Sequence, residues 1–152
     1  MKKLFALILL LIAVNTSRAQ IQQLNTVKPL VVGKVGGTGW VPFESSLEYL
    51  PDSLGSNTYI LTYRDITYKQ LVVLKTVTFK ATEQELNSFY DLLKVRIDEK
   101  KDAETSLKLG DDTVLIVTAK TMGMGSIYLS VTGKGMFALY TKTLNKLFGR
   151  DK

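Results

Sequence analysis

FKATEQELNSFY, residues 79–90, changes its apolar period within a few positions. Val77 and Phe79 sit two apart, the spacing of one face of a strand. Thr82-Glu83-Gln84-Glu85 then places a hydroxyl three residues ahead of a carboxylate. That is a capping box, in which Thr82 accepts from the N–H of Glu85 and the Glu85 side chain accepts from the N–H of Thr82. Leu86, Phe89, Tyr90, Leu93 and Ile97 follow at helical spacing and form one apolar stripe. The pattern predicts a strand running directly into an amphipathic helix over 83–100.

The same arrangement returns further along the chain. FALYTKTLNKLF, residues 137–148, aligns with the first stretch so that Phe137 matches Phe79, Leu144 matches Leu86 and Asn145 matches Asn87. A second helix is expected over 141–148, with Gly149 where a left-handed C-cap belongs. Each stretch follows a hairpin, so the chain reads as two strand–strand–helix units. A duplication would produce this, and so would the shared apolar spacing of any strand that leads into an amphipathic helix.

Outward from these stretches the chain alternates. Tyr59, Leu61 and Tyr63 are interleaved with Ile60, Thr62 and Arg64, a run of β-forming residues. Residues 70–80 (QLVVLKTVTFK) read as a second strand, apolar on both faces at first, as a central strand would be. A short strand over 105–109, a turn at Gly110-Asp111-Asp112 and a Val/Ile-rich strand over 113–120 follow. Residues 122–126 (MGMGS) read as a flexible connection to a strand over 127–132. Gly133-Lys134-Gly135 reads as a kink or bulge before the strand resumes over 136–140. The expected fold is α+β, an antiparallel sheet with both helices on one face. Residues 57–152 form that domain. Residues 20–56 read as a loosely ordered N-terminal arm with a glycine-rich loop, except for one short strand over 29–35.

The first nineteen residues read as an address. Lys2 and Lys3 precede the uninterrupted apolar run 4–14 (LFALILLLIAV), and Ser17-Arg18-Ala19 offers small residues at −3 and −1. This is the order of a bacterial secretory signal, with cleavage after Ala19. The run is shorter than the roughly 20 apolar residues of a spanning helix. The expected location is the periplasm, or outside the cell. Lys2, Lys3 and Arg18 leave with the signal, which takes the formal charge from +6 to +3. Nucleic-acid binding loses its main support.

Of 152 residues, none is His and none is Cys. That removes Ser–His–Asp and Cys–His triads, zinc sites on Cys or His, iron–sulfur clusters and disulfides. No cofactor or metal is expected. GKVGGTG (33–39) lacks the helix start a phosphate loop needs, because Trp40-Val41-Pro42 follows it. Met122 and Met124 offer two soft sulfurs with no third ligand beside them. Asp111 and Asp112 sit where a turn favours Asp. Ser106 and Lys108 share a strand face, as a nucleophile and base would and as many such pairs do. A two-carboxylate glycosidase needs neither His nor Cys, but it needs a groove holding both carboxylates within about 10 Å.

Two sets of residues are candidates for contact. Trp40, Tyr63 and Tyr68 could supply rigid aromatic surface to a partner, with Tyr63 and Tyr68 expected to be exposed at a strand end and turn. Lys142, Lys146 and Arg150 recur every four residues opposite Leu144, Leu147 and Phe148, a basic face suited to anionic lipid. Cations also favour a helix C-terminus for its dipole alone. The expected function is a non-catalytic exported binding module whose partner is another envelope or extracellular protein. A small carbohydrate- or cell-wall-active enzyme and a peripheral membrane-surface protein are the alternatives.

Overall fold

The computed structural model describes residues 27–36, 44–99, 103–121 and 124–151. The expected signal, Trp40 and Met122 lie outside them. The chain is α+β, with wholly antiparallel pairing. Strands β1 (Leu30–Val35), β2 (Ser45–Leu50), β3 (Asn57–Arg64) and β4 (Leu74–Ala81) form one sheet in sequence order, followed by helix α1 (Glu83–Asp98). Strands β5 (Glu104–Leu109), β6 (Asp112–Thr121), β7 (Met124–Val131) and β8 (Gly135–Tyr140) form a second sheet in sequence order, followed by helix α2 (Thr141–Leu147). Each expected strand–strand–helix unit is therefore a four-strand unit, and the pairing divides the strands into two sheets. The matched residues of the internal similarity hold corresponding places: Phe79 and Phe137 lie in the last strand of each sheet, four positions before each helix begins.

Strands β3, β4 and β7 turn alternate residues inward. Tyr59, Leu61 and Tyr63 of β3, Val77 and Phe79 of β4, and Ile127, Leu129 and Val131 of β7 are all buried, at the alternation their sequences carry. The helices cross over. α1 follows the first sheet but lies mainly on β6 and β7 of the second, while α2 follows the second sheet and lies mainly on β1 and β2 of the first. One core results, in which Leu61, Leu93, Leu129 and Leu147 come from both sheets and both helices and border the same gap of about 10 Å³. Aromatic rings run through it. Tyr59 stacks on Phe79 at 5.5 Å, Phe79 meets Phe89 edge-on at 6.3 Å, and Phe89 meets Phe148 at 5.9 Å.

Both helix ends follow from the sequence. The Thr82 N–H donates to Glu85 Oε2 at 2.8 Å and the Glu85 N–H donates to Thr82 Oγ1 at 3.2 Å. The backbone and hydroxyl hydrogen bonds from Thr82 hold the Glu85 carboxyl below its ordinary range. Replacing Thr82 with alanine is expected to cost about 1 kcal/mol in urea unfolding, and serine should restore most of it. At the other end Gly149 takes φ +65°, its N–H donates to Lys146 O, and the Arg150 N–H reaches back to Asn145 O at 2.7 Å. These two bonds make a Schellman cap.

Four readings are corrected. Beyond the expected short strand, which is β1, the segment expected as a loose arm contributes β2, because residues 45–50 pair antiparallel with β3. Gly33 lies inside β1 rather than in a loop, beside a register shift between Val31 and Gly33. β4 begins at Leu74 rather than at 70, and it is an edge strand; Leu71 and Val72 are apolar on both faces because they lie in an exposed loop. Residues 132–134 are a turn between two paired strands and not a kink within one, with Gly133 and Gly135 at φ +71° and +76° supplying the reversal.

Candidate functional site

The loop joining β3 to β4 is held at its neck and open at its tip. Asp65 directly follows β3 and is buried, 1% exposed. Its N–H donates to Val73 O at 2.8 Å and closes the loop across its base. Its Oδ1 accepts from the Thr67 hydroxyl at 2.6 Å, the Thr67 N–H at 3.0 Å and the Met136 N–H at 3.1 Å. The Ile66 N–H donates to Met136 O at 2.9 Å. The loop is thereby stapled to β8 of the other sheet. Burial alone would raise the Asp65 carboxyl; the three hydrogen bonds and the positive charge of Lys75 outweigh it and hold the carboxyl below its ordinary range.

The tip is apolar and exposed. Leu71 is 62% exposed, Val72 52% and Tyr68 48%, with Ile66 and Leu74 flanking them. Residues 66–75 (ITYKQLVVLK) contain two lysines and no carboxylate. Isolated exposed apolar residues are ordinary; here four lie within one loop and a fifth, Leu74, opens β4.

A polar staple lies beside the neck. Lys134 pairs with Asp112 at 2.8 Å and its ammonium also donates to Thr76 O on β4 at 3.2 Å. It joins the second sheet to the edge strand of the first, and it occupies a carbonyl that an edge would otherwise offer to another chain.

A cleft of about 280 Å³ opens beside the end of β3, with Arg64 and Ile66 in its lining. Phe137 and Leu139 of β8 and Val35 of β1 give it apolar walls, and Glu44, Ser45, Arg64, Tyr128 and Tyr140 bring polar groups to it. A second groove, of about 350 Å³, runs between α1 and β5 and includes Lys108, Phe89 and Glu85. Each of these two carries one carboxylate, and Glu85 is committed to its cap, so neither has the paired acids of a glycosidase. Ser106 and Lys108 are both exposed on β5. Among the described residues no group of three or more carboxylates could hold a metal ion.

The structure separates the residues singled out for contact. Tyr63, expected to be exposed, is fully buried: its ring stacks on Phe137 at 4.3 Å and its hydroxyl donates to Lys134 O at 3.1 Å. Position 63 shares the inward face with 59 and 61, and that alternation outweighs its nearness to the strand end. Burial first, then the charges of Asp65 and Asp112, push its phenol well above the ordinary value. Tyr68 lies on the exposed loop. Just beyond α2, Arg150 lies over the Tyr90 ring at 4.1 Å and bonds Asn87, while Lys146 of α2 sits 3.9 Å from Asp151. Lys142 stays exposed. The basic stripe is thus partly spent on packing α2 against α1 (the Tyr90 hydroxyl also donates to Asn145 at 2.9 Å).

No protein-family model, curated protein or solved structure matches the chain.

Proposed function

We propose that the chain is an exported, non-catalytic binding module, acting in the periplasm or outside the cell, that presents the 66–74 loop to another envelope or extracellular protein. The supporting observation is the concentration of exposed apolar side chains on a loop whose neck is fixed by a buried carboxylate. A fixed neck means the tip loses little conformational freedom on docking. The absence of His and Cys leaves binding as the simpler role, and the apolar run 4–14 behind Lys2 and Lys3 supports export.

The test uses a photo-crosslinking residue at position 71 in intact cells, with one at the exposed position 80 as the control. One envelope protein should crosslink reproducibly at 71 and not at 80, and mass spectrometry should find the mature N-terminus at Gln20. Val72→Asp should weaken the crosslink at least tenfold while leaving the unfolding midpoint within error, since an exposed loop position carries little stability. No reproducible product at 71 would sink the proposal. A lipid surface is the second reading, favoured by the two lysines and missing carboxylates of 66–75. Sedimentation with anionic vesicles at low salt, abolished by Val72→Asp, would replace the protein partner with a membrane.

A further inference from the structure

Glu44 and Arg64 bring opposite charges to one cleft without meeting. The Arg64 N–H donates to Glu44 O at 2.7 Å, so the two residues sit directly opposite each other across the start of β2 and the end of β3. Side chains at such positions normally pair. The ion pairs among the described residues, at Lys34–Glu48, Arg96–Glu99, Lys134–Asp112 and Lys146–Asp151, do not include them. The Arg64 Nε is enclosed and has no hydrogen-bond partner. The Arg96 Nε is enclosed and unpartnered too, yet its guanidinium is held by Glu99 through Nη1, whereas none of these ion pairs holds Arg64. Both residues line the cleft of about 280 Å³ whose walls include Val35, Phe137 and Leu139.

A guanidinium donor, a carboxylate acceptor and an apolar wall around one small space are the three features that a free amino acid presents in reverse. We propose that this cleft binds a small zwitterion of the α-amino-acid type with an apolar side chain. Its carboxylate meets Arg64, its ammonium meets Glu44, and its side chain lies against Phe137 and Leu139. A simple organic anion fits less well, because Glu44 would repel it. A simple amine fits less well because of Arg64. The volume lies at the low end for ligand clefts and suits a molecule of this size. The inference does not rest on what the tip of the 66–74 loop contacts, although Ile66 at its base also lines the cleft.

The experiment titrates the purified, isotopically labelled chain with L-alanine, L-leucine and L-phenylalanine and follows the Arg64 Nε–H resonance together with the backbone amides. At least one amino acid should give a saturable shift of that resonance below about 10 mM, the range expected for a single charge-assisted contact set. N-acetyl-phenylalanine, which lacks the ammonium, and phenylalaninamide, which lacks the carboxylate, should bind at least tenfold more weakly than phenylalanine. Followed on the backbone amides, Arg64→Gln and Glu44→Gln should each weaken phenylalanine at least tenfold in chains whose remaining amide spectra are unchanged. Glu44→Gln should bind N-acetyl-phenylalanine no more weakly than the parent does, because the repulsion is gone. The proposal is overturned if no amino acid saturates, if Arg64→Gln leaves binding intact, or if the blocked derivatives bind as well as the free amino acid.

Discussion

Gly33→Ala is expected to destabilise the chain by about 2–3 kcal/mol, a drop in Tm of roughly 10 °C. Gly33 is buried in β1, and a Cβ built there would overlap the carbonyl oxygens of both Lys146 and Leu147 in the last turn of α2. A flexible side chain in the way would move aside. Two backbone carbonyls can move only if the helix does. That helix brings Leu144, Leu147 and Phe148 into the common core, so lifting it opens the core at one end. The opposing term is real but smaller. Alanine narrows the unfolded ensemble and suits a strand better than glycine, worth about 0.5–1 kcal/mol in its favour. The clash therefore decides the sign. Gly36→Ala is the control, because it lies just beyond the strand and an added Cβ there meets nothing within 4 Å. It should change stability by no more than about 0.5 kcal/mol. Equal midpoints for the two variants in chemical denaturation would show that α2 does not rest on β1 this closely.

Close approach also explains which features were legible in the sequence. The helix after β4 was readable because its evidence is local: a cap, a stripe and a strand within about twenty residues. The alternation in β3 and β7 was readable for the same reason. The division into two sheets was not, because nothing near 99–104 records that β5 starts a new sheet instead of extending the first. The crossing of the helices was not readable either. It depends on Gly33 under α2 and on Gly125 of β7, whose added Cβ would overlap the Ile97 carbonyl at the end of α1. In sequence these two glycines look like loop residues. In the fold they are the places where a strand of one sheet admits the helix that follows the other.

The candidate surfaces show the same division. A doubly apolar run such as LVV at 71–73 fits a central strand and an exposed contact loop equally well by pattern alone. The stretch between 66 and 75 carries no carboxylate, a property a central strand shares, so charge does not separate the two either. Tyr63 was misplaced because its neighbours in sequence suggested a strand end, while its period placed it with Tyr59 and Leu61. The opposition of Glu44 and Arg64 comes from the register of β2 against β3, which no stretch of either strand encodes by itself.

The register that sets Tyr63 inward also buries Asp65 two positions on, and its removal should be the other large effect. Asp65→Ala is expected to cost about 3 kcal/mol at neutral pH. The substitution strips an acceptor from the Met136 N–H and from both donors of Thr67. Water can reach Thr67, which is exposed, so the larger share of the penalty falls at Met136 and at the junction between loop and β8. Gly135 shows how closely the junction is fitted: it has φ +76°, and an added Cβ would overlap the Asp65 carboxylate. Asp65→Asn keeps an acceptor and should cost less, about 1 kcal/mol, while removing the charge. That variant isolates the pH dependence. The folded Asp65 carboxyl is held below its ordinary value, so folding favours the ionised form. Its contribution is fully present above the unfolded pKa of about 3.9 and is lost as pH falls through the lower folded value. The parent should therefore lose stability progressively below about pH 5, and Asp65→Asn should lose it more shallowly. A residual slope is expected in the variant because Glu85 is depressed in the same direction. Urea midpoints measured from pH 7 to pH 3 for the two chains provide the test, and parallel curves would mean that the hydrogen bonds to Asp65 do not favour its charge.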